Sequence, residues 1–382
     1  MDSSYQLVSY EPALKRQVIE LQSHLWSPDL ALNTAYLEWK YERNPYIDSP
    51  LIYLAMHKDR IIGMRGFFGT QWEVGIPARK SVALYADDLV IAPDHRNHGL
   101  VHRIMAAAFE DLAKRKYQYA FNLSAGPLTL LFTLAMGWRS VGHMQPMYRR
   151  SLPVALRGAR GSLIRRLPKP PRQVNWMLRR GSEKKQRSLT DIDAARLRRS
   201  LRSVPWISLE DFPHSAAMAE LIERVGDRGR IRHVRDRKYF DWRFQNPLSR
   251  YRFLYWAKAR LEGYLVLQEY TSAYANKELV NIVDWEATSI AVHAELLQAA
   301  KKLTTGRRLM IWSVSLPQEL TAVLEAAGFK LEREPKSVSQ QRRALLVRPI
   351  RDEELGGDWL FAGQRLLDMG NWDLRMLYSM LG

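Results

Sequence analysis

The sequence predicts an α/β protein built from two tandem lobes, each a β-sheet with flanking helices. Three observations lead to this fold class. They are a strand–loop–helix unit over residues 87–112, a short motif that returns about 200 residues later, and a length of 382 residues. A chain of this length exceeds the size at which a single hydrophobic core stops growing, so two domains are expected.

The strand–loop–helix unit begins with an apolar strand that ends before Pro93 and continues into a polar, basic loop. Apolar residues then recur at positions 100, 101, 104, 105, 108, 109 and 112, the spacing of one helix face. A helix N-terminus after such a loop presents free backbone N–H groups and the positive end of the helix dipole. With Arg96 at the mouth of the loop, the unit predicts an anion-binding site.

An internal repeat supports the two lobes. The sequence WKYERNP at residues 39–45 returns as WRFQNP at residues 242–247, and both copies lead into two apolar strands joined by a short turn. We interpret this as duplication of one α/β unit, with lobes at residues 1–148 and 190–348. The tryptophans are expected to fill core and Asn-Pro to form turns. A loop that borders the acceptor is the alternative for this motif. Residues 349–382 are predicted to pack back as a helical tail.

A strongly basic segment, residues 149–189, separates the lobes. Between positions 149 and 187 there are thirteen Lys and Arg residues and one acid, which supplies +12 of the net charge of +18. The segment is either a solvated connector or a docking surface for a polyanion, such as an anionic membrane, an acyl carrier protein or nucleic acid. Apolar residues between the basic ones favour a membrane surface. No recognised nucleic-acid-binding motif is present, so nucleic acid is the weakest of the three.

Composition excludes several classes of chemistry. The chain contains no cysteine, which rules out disulfides, thiolate nucleophiles and zinc–sulfur sites. The first residues show no secretory signal, and no apolar stretch is long enough to span a bilayer, so we expect a cytoplasmic protein with peripheral membrane contact left open. His95, His98 and His102 cluster near the loop, but we predict no metal because no third ligand is evident at a suitable spacing.

Residues 96–101, Arg-Asn-His-Gly-Leu-Val, resemble the main motif of the GNAT superfamily of acyl-CoA-dependent N-acyltransferases. That motif is Arg/Gln-x-x-Gly-x-Gly/Ala, and here it follows Ile91-x-Pro93, as is usual in the family. The whole chain resembles tandem-GNAT proteins of bacterial surface-polysaccharide synthesis. The resemblance implies two GNAT-like lobes, each a mixed, mostly antiparallel sheet flanked by helices. The second lobe lacks the motif and is read as degenerate.

The resemblance also implies where acetyl-CoA, the expected co-substrate, would bind. Loop amides would hold the pyrophosphate, and backbone near the end of the fourth strand would pair with pantetheine. The implied contacts are Ile91, Arg96, Asn97, His98, Gly99, Leu100, Val101, Asn122 and Ser124. Val101 departs from the family, which has Gly or Ala there, and its side chain is expected to crowd the turn.

The catalytic candidates are Asp88, Asp87 and Tyr85, all on the fourth strand. In this family a carboxylate there often deprotonates the amine acceptor, directly or through water. Adjacent strand residues point to opposite faces, so we expect only one carboxylate to reach the cleft, with Asp88 preferred marginally. A strand-end salt bridge is the alternative for either one. The family's usual acid, a tyrosine, is replaced by Thr133; Tyr85 is a possible substitute or a core aromatic.

The sequence thus predicts an N-acetyltransferase that moves an acetyl group to an amine acceptor, such as an amino sugar or a surface-glycan precursor. Three alternatives stay open. The donor could be an acyl carrier protein, docked on the basic segment. The chain could be an inactive tandem module that binds a partner or a membrane. It could also be an aminoacyl-tRNA-dependent transferase, although a retained cofactor loop is not expected there.

Overall fold

A computed structural model describes residues 4–123, 125–150, 206–225, 229–271, 279–331 and 343–379. Most of the predicted basic segment therefore lies outside the described residues. Within them, no helix is both long and apolar enough to cross a membrane. The described chain forms two large sheets with helices against them, which confirms the predicted fold class of two lobes with mixed sheets.

The strands follow one another along the chain in seventeen described segments. They are β1 (Tyr5–Ser9), β2 (Leu51–His57), β3 (Arg60–Val74), β4 (Arg79–Ile91), β5 (Tyr119–Asn122), β6 (Arg139–His143), β7 (Pro146–Arg149), β8 (Ile207–Glu210), β9 (Arg232–His233), β10 (Ser249–Ala257), β11 (Leu261–Tyr270), β12 (Leu279–Ala287), β13 (Arg308–Trp312), β14 (Lys330–Leu331), β15 (Ala344–Pro349), β16 (Leu360–Phe361) and β17 (Gln364–Arg365).

The described helices lie between these strands. They are α1 (Lys15–Gln22), α2 (Leu30–Leu37), α3 (Leu100–Ala113), α4 (Pro127–Ala135), α5 (Ser215–Val225), α6 (Arg237–Arg243), α7 (Ile290–Leu303) and α8 (Gln318–Ala326). A π-helical turn, Glu38–Glu42, extends α2. The helix predicted from apolar spacing over residues 100–112 coincides with α3, whose buried residues line one face.

Both sheets have the same plan. The first has the strand order β1-β2-β3-β4-β5-β15-β6, with β9 against β3, and the second has the order β14-β7-β13-β12-β11-β10-β8. The pairs β4–β5 and β12–β13 are parallel, and the remaining described pairs in these sheets are antiparallel. This common plan agrees with duplication of one unit.

The two lobes exchange a strand. β7 follows β6 after two residues, yet β7 lies in the second sheet between β13 and β14. β15 follows β14 in the chain, yet it lies in the first sheet between β5 and β6. Neither sheet is therefore built from one continuous piece of chain. The lobe limits at residues 148 and 348 stay a prediction, and both fall within exchanged strands.

The hydrophobic core is continuous across the lobes. One cluster of buried side chains joins residues of α1, α2 and the first sheet to residues of α5, α6 and the second sheet. Separate clusters lie under α3 and under α7. The tail, predicted as short helices, contains 3-10 turns and the β16–β17 hairpin instead, and it buries Trp359, Phe361, Leu366, Trp372 and Leu377.

Candidate active site

β4 continues past the end of its pairing with β5, and we call the region beside this end the cleft. The two strands pair only at Leu84–Ala120 and Tyr85–Phe121 among the described residues, and β4 then continues to Ile91 while β5 ends at Asn122. Ligands of open α/β sheets commonly bind at the carboxyl ends of neighbouring parallel strands. The end of the β4–β5 pairing, beside the second half of β4, is therefore the candidate ligand site.

The loop that leads into α3 is the segment predicted to bind an anion. Asn97 and Gly99 have left-handed backbone conformations, with φ values of 67° and 68°. A left-handed backbone is easily adopted by glycine and is tolerated by asparagine. Gly99 precedes the helix, and no side chain caps the first amides of α3. These amides are therefore available to an anionic ligand.

The side chains around this helix start differ in burial. Arg96, Asn97 and His98 are exposed, Leu100 is buried and Val101 is half-buried. The Arg96 Nε donates to the carbonyl oxygen of Ile91 at 3.4 Å, which ties the loop to the end of β4. Leu100 anchors the helix in the core, so the loop presents its backbone and Arg96 to solvent.

Asp87 and Asp88 share one cation. Lys40 Nζ lies 2.8 Å from Asp87 Oδ2 and 2.8 Å from Asp88 Oδ1. The second Asp88 oxygen accepts hydrogen bonds from Tyr41 Oη at 2.8 Å and Gln22 Nε2 at 3.2 Å. The Asp88 side chain is fully buried, whereas Asp87 keeps about one tenth of its side chain exposed. Asp88 is thus enclosed and bound through both oxygens, and Asp87 lies at the edge of the network.

The expectation that these two carboxylates point to opposite faces is wrong. The pairing of β3 with β4 shifts register between Met64 and Gly66, and Asp88 in this bulge has a φ of 50°. A bulge interrupts the alternation of side chains along a strand, so both carboxylates reach Lys40. Gly66 is required here, because a Cβ atom would lie 1.9 Å from the Tyr41 hydroxyl.

Lys40 is enclosed as completely as Asp88. Its third N–H donates to Tyr36 Oη at 3.2 Å, and its ammonium lies 5.0–5.6 Å from the ring centres of Trp26, Tyr36, Tyr41 and Phe68. Burial lowers the pKa of Lys40, but the two carboxylates outweigh this effect and hold the pKa above its usual value. Burial raises the pKa of Asp88 against the opposing charge of Lys40. Lys40 therefore stays charged and keeps the pair compensated.

The other predicted site residues lie along the same cleft. Tyr85 is buried, stacks on Phe68 with ring centres 4.7 Å apart, and its Oη accepts a hydrogen bond from the Leu123 amide at 3.0 Å. It thus joins β4 to the residue after β5. Asn122 is buried at the end of β5, and Ser124 lies outside the described residues.

Sequence reasoning missed the partners of the carboxylates: Lys40, Tyr41 and Gln22. A signal was present, because Lys40 and Tyr41 belong to the repeated motif, in which a cation and an aromatic residue follow each tryptophan. The pattern of the motif predicts core, turns and a loop that could border the acceptor, but not an ion pair with the carboxylates. Gln22, on α1, carries no comparable signal.

The repeated motifs meet at the centre of the molecule. Trp39 and Trp242 stack with ring centres 5.1 Å apart. Each indole N–H donates to the backbone carbonyl of the other tryptophan, at 2.7 Å and 3.0 Å. Asn44 and Asn246 accept from the amides two residues on, which confirms the predicted turns. The repeat therefore joins the lobes, with Lys40 one residue from this contact.

The second lobe uses the corresponding strand differently. Its carboxylates, Asp284 and Glu286 on β12, are bound by the buried Arg235 at 2.9 Å and 2.8 Å, and Arg375 of the tail lies 3.4 Å from Glu286. The following helix, α7, is capped by its own Ser289, whose hydroxyl accepts from the Val292 amide. In contrast to α3, the start of this helix already has a side-chain acceptor for one of its free backbone amides.

No group of three His, Asp or Glu side chains in the described parts of the chain could hold a metal ion. His95, from the predicted cluster, instead shares a 3.1 Å hydrogen bond with Tyr5 Oη. Two surface cavities, of about 560 and 540 Å³, lie away from Asp87 and Asp88, and His102 of the predicted cluster lines the second of them. The larger borders Trp39 and Trp242, and the smaller runs along α3.

The family comparison agrees with this geometry. Residues 17–126 match the sequence model of the acetyltransferase (GNAT) family. This range contains the Lys40 network, the cleft strand β4, the loop and α3. The matched part of the first lobe is therefore GNAT-like in sequence. The comparison with curated proteins finds no match.

Solved structures share the two-lobed fold. A GCN5-related N-acetyltransferase from Anabaena variabilis has a TM-score of 0.56 at 10% identity, covering 91% of this chain and 73% of that chain. A tandem GNAT protein from the clavulanic acid biosynthesis pathway has a TM-score of 0.51 at 13% identity, covering 91% and 99%. N-myristoyltransferase of Saccharomyces cerevisiae, with bound myristoyl-CoA, has 0.53 at 9%, covering 91% and 78%. At these identities the likeness establishes the GNAT fold.

Proposed function

We propose that the protein is an N-acetyltransferase that moves an acetyl group from acetyl-CoA to an amine acceptor. The observation that carries this proposal is the uncapped start of α3 beside the β4–β5 cleft, within the segment that matches the family. The loop amides and Arg96 suit a pyrophosphate, and the cleft suits an extended chain that ends in a thioester. The second lobe, with its capped helix and arginine-bound carboxylates, lacks these features among its described residues.

In the proposed reaction the amine attacks the thioester carbonyl. A nitrogen–carbon bond forms and the carbon–sulfur bond breaks, so that CoA leaves as its thiol. One proton of the ammonium group passes to a base, directly or through water, and a second passes through water to the departing sulfur. We assign the base to Asp87 rather than Asp88, because Asp87 lies at the edge of the network and keeps some exposure. Asp88 then fixes the bulge, and Lys40 keeps both carboxylates in place. Tyr85 serves as a strand-joining residue.

The acceptor we propose is an amino sugar or another surface-glycan precursor. The support is the resemblance to tandem-GNAT proteins of that kind. We also propose a cytoplasmic location, with residues 149–189 as a docking segment for an anionic membrane or an acyl carrier protein, because that segment carries +12 of the net charge. An acyl carrier protein as donor and an inactive binding module are the alternatives, and the following experiment tests the first of them.

Isothermal titration with acetyl-CoA tests the donor site. The variant Gly99→Glu places a carboxylate at the start of α3 and should weaken binding about tenfold or more, since it repels the pyrophosphate. Gly328→Glu is the matched control, because Gly328 also has a positive φ, 89°, and open space for a side chain, but follows a helix of the second lobe. The control should bind acetyl-CoA as the wild type does.

Three outcomes are informative. Binding that is lost only in Gly99→Glu supports the proposal. If both variants lose acetyl-CoA affinity equally, backbone strain causes the loss and the loop before α3 has no role in binding. If the wild type shows no binding at millimolar acetyl-CoA, the proposed donor is wrong, and transfer from an acyl carrier protein is tested next.

A further inference from the structure

The buried hydroxyl of Tyr270 stands out on the second lobe. Its oxygen is buried and has no hydrogen-bond partner among the described residues. Native proteins satisfy most buried polar groups, so an unpartnered hydroxyl in the interior calls for an explanation. The ring is half-buried at the end of β11 and packs against the cluster of side chains that joins the two lobes.

Strand alternation shows which way Tyr270 faces. Tyr264 and Val266, on the same strand, lie in the cluster that also contains Tyr36, Phe68 and Tyr85 of the first lobe. Tyr270 follows them at even spacing, so it lies on the same face of the second sheet. This face is turned toward the α1–α2 side of β4, where Lys40 and Asp87 meet.

The charges of that network reach the Tyr270 hydroxyl. Burial first, and then the Asp87 carboxylate, raise the pKa of Tyr270 above its usual value, with Lys40 acting in the opposite direction. The hydroxyl therefore stays protonated at any working pH. It retains both its donor and its acceptor capacity, close to the carboxylate that we assign as the base.

We propose that Tyr270 is an acceptor-binding residue, through which the second lobe completes the acceptor site of the first. Its hydroxyl forms a hydrogen bond with a polar group next to the reacting nitrogen, so the site selects hydroxylated primary amines over plain alkylamines. This inference rests on the proposed N-acetyltransferase function. It explains why a degenerate lobe is retained beside a complete one.

The test compares two six-membered-ring amines, glucosamine and cyclohexylamine, as acceptors from acetyl-CoA. Release of the CoA thiol is followed with a thiol reagent, and the protein adds no background because the chain contains no cysteine. The wild type should prefer glucosamine by kcat/KM. Tyr270→Phe should reduce that preference about tenfold or more while leaving acetyl-CoA binding unchanged, because a site built to hydrogen-bond a substrate discriminates strongly against analogues without the group.

Stability supplies a second readout. Tyr270→Phe removes a hydroxyl without a described partner, so its unfolding midpoint should match or exceed that of the wild type. Tyr264→Phe is the control on the same strand and face. It breaks a 2.8 Å hydrogen bond to the buried Asp284, so it should lower the midpoint and leave acceptor selectivity unchanged.

The failures are distinguishable. A wild type that does not bind acetyl-CoA contradicts the proposed function itself. A wild type that binds and transfers, with selectivity in Tyr270→Phe within twofold of the wild type, overturns the role of Tyr270 alone. A fall in the midpoint of Tyr270→Phe to the level of Tyr264→Phe also overturns it, because the hydroxyl would then be structural. No transfer to either amine rejects the proposed acceptor class.

Discussion

Replacement of Lys40 by methionine tests whether the buried ion network organises the candidate active site. Methionine fills a similar volume and is compatible with the surrounding aromatic rings, so the main loss is the positive charge. Asp87 and Asp88 would then lose their shared cation inside the protein. The variant should therefore be much less stable than the wild type at neutral pH.

The magnitude follows from burial. Lys40 and Asp88 side chains are fully buried and both contacts are 2.8 Å long, so removing Lys40 takes away the cation that the two carboxylates share, which costs about 3–5 kcal/mol. Lys15 offers a matched control, because it also contacts two carboxylates, Glu38 and Glu42, at 2.8 Å. These side chains are each at least one quarter exposed, so Lys15→Met should cost at most about 1 kcal/mol.

The effect of pH has a definite sign. Burial raises the pKa of Asp88 and Lys40 lowers it, so the loss of Lys40 raises the pKa of Asp88 further. A carboxyl group whose pKa is higher in the folded state than in the unfolded state loses stability as pH rises through that interval. The gap in unfolding free energy between the wild type and Lys40→Met should therefore be larger at pH 7 than at pH 5.

Urea unfolding followed by tryptophan fluorescence, at both pH values, measures these differences. If Lys40→Met does not fold, the double variant Lys40→Met with Asp88→Asn removes one uncompensated charge and should recover folded protein. Equal losses in Lys40→Met and Lys15→Met, or a gap that does not change with pH, would refute the argument that burial makes this network strong.

Two further predictions concern the carboxylates and the lobe contact. Asp87→Asn should lower acetyl transfer about 10²-fold or more and keep acetyl-CoA affinity, because the proposed base is lost. Asp88→Asn should chiefly lower the unfolding midpoint. Thiol release measures the first effect and thermal unfolding measures the second. Trp242→Ala removes the stack on Trp39 and one of the two indole–carbonyl hydrogen bonds, so it should cost about 3–5 kcal/mol in urea unfolding. Trp206→Ala, at a side chain 46% exposed, is the control and should change stability little.

Local patterns in the sequence predicted the elements near the donor site. Apolar spacing alone located α3, and the loop before it identified a helix start open to an anion. The repeat at Trp39 and Trp242 indicated two related units, and the two sheets share one plan in space. These features depend on backbone periodicity and on residues that are close in sequence. One amino-acid sequence is therefore sufficient to predict them.

Contacts between distant residues decided the rest. The bulge at Asp88 arises from pairing with β3, and it turned two carboxylates toward one lysine, contrary to the alternation expected for a strand. The exchange of β7 and β15 depends on pairing between segments about 200 residues apart, for which no local pattern exists. The same holds for Tyr270, which is unremarkable in the sequence. The sequence by itself determined α3 and the loop that precedes it. Only tertiary packing decided which side chains share the interior with Asp87, because low-dielectric burial couples groups by their distance in space and not by their distance along the chain.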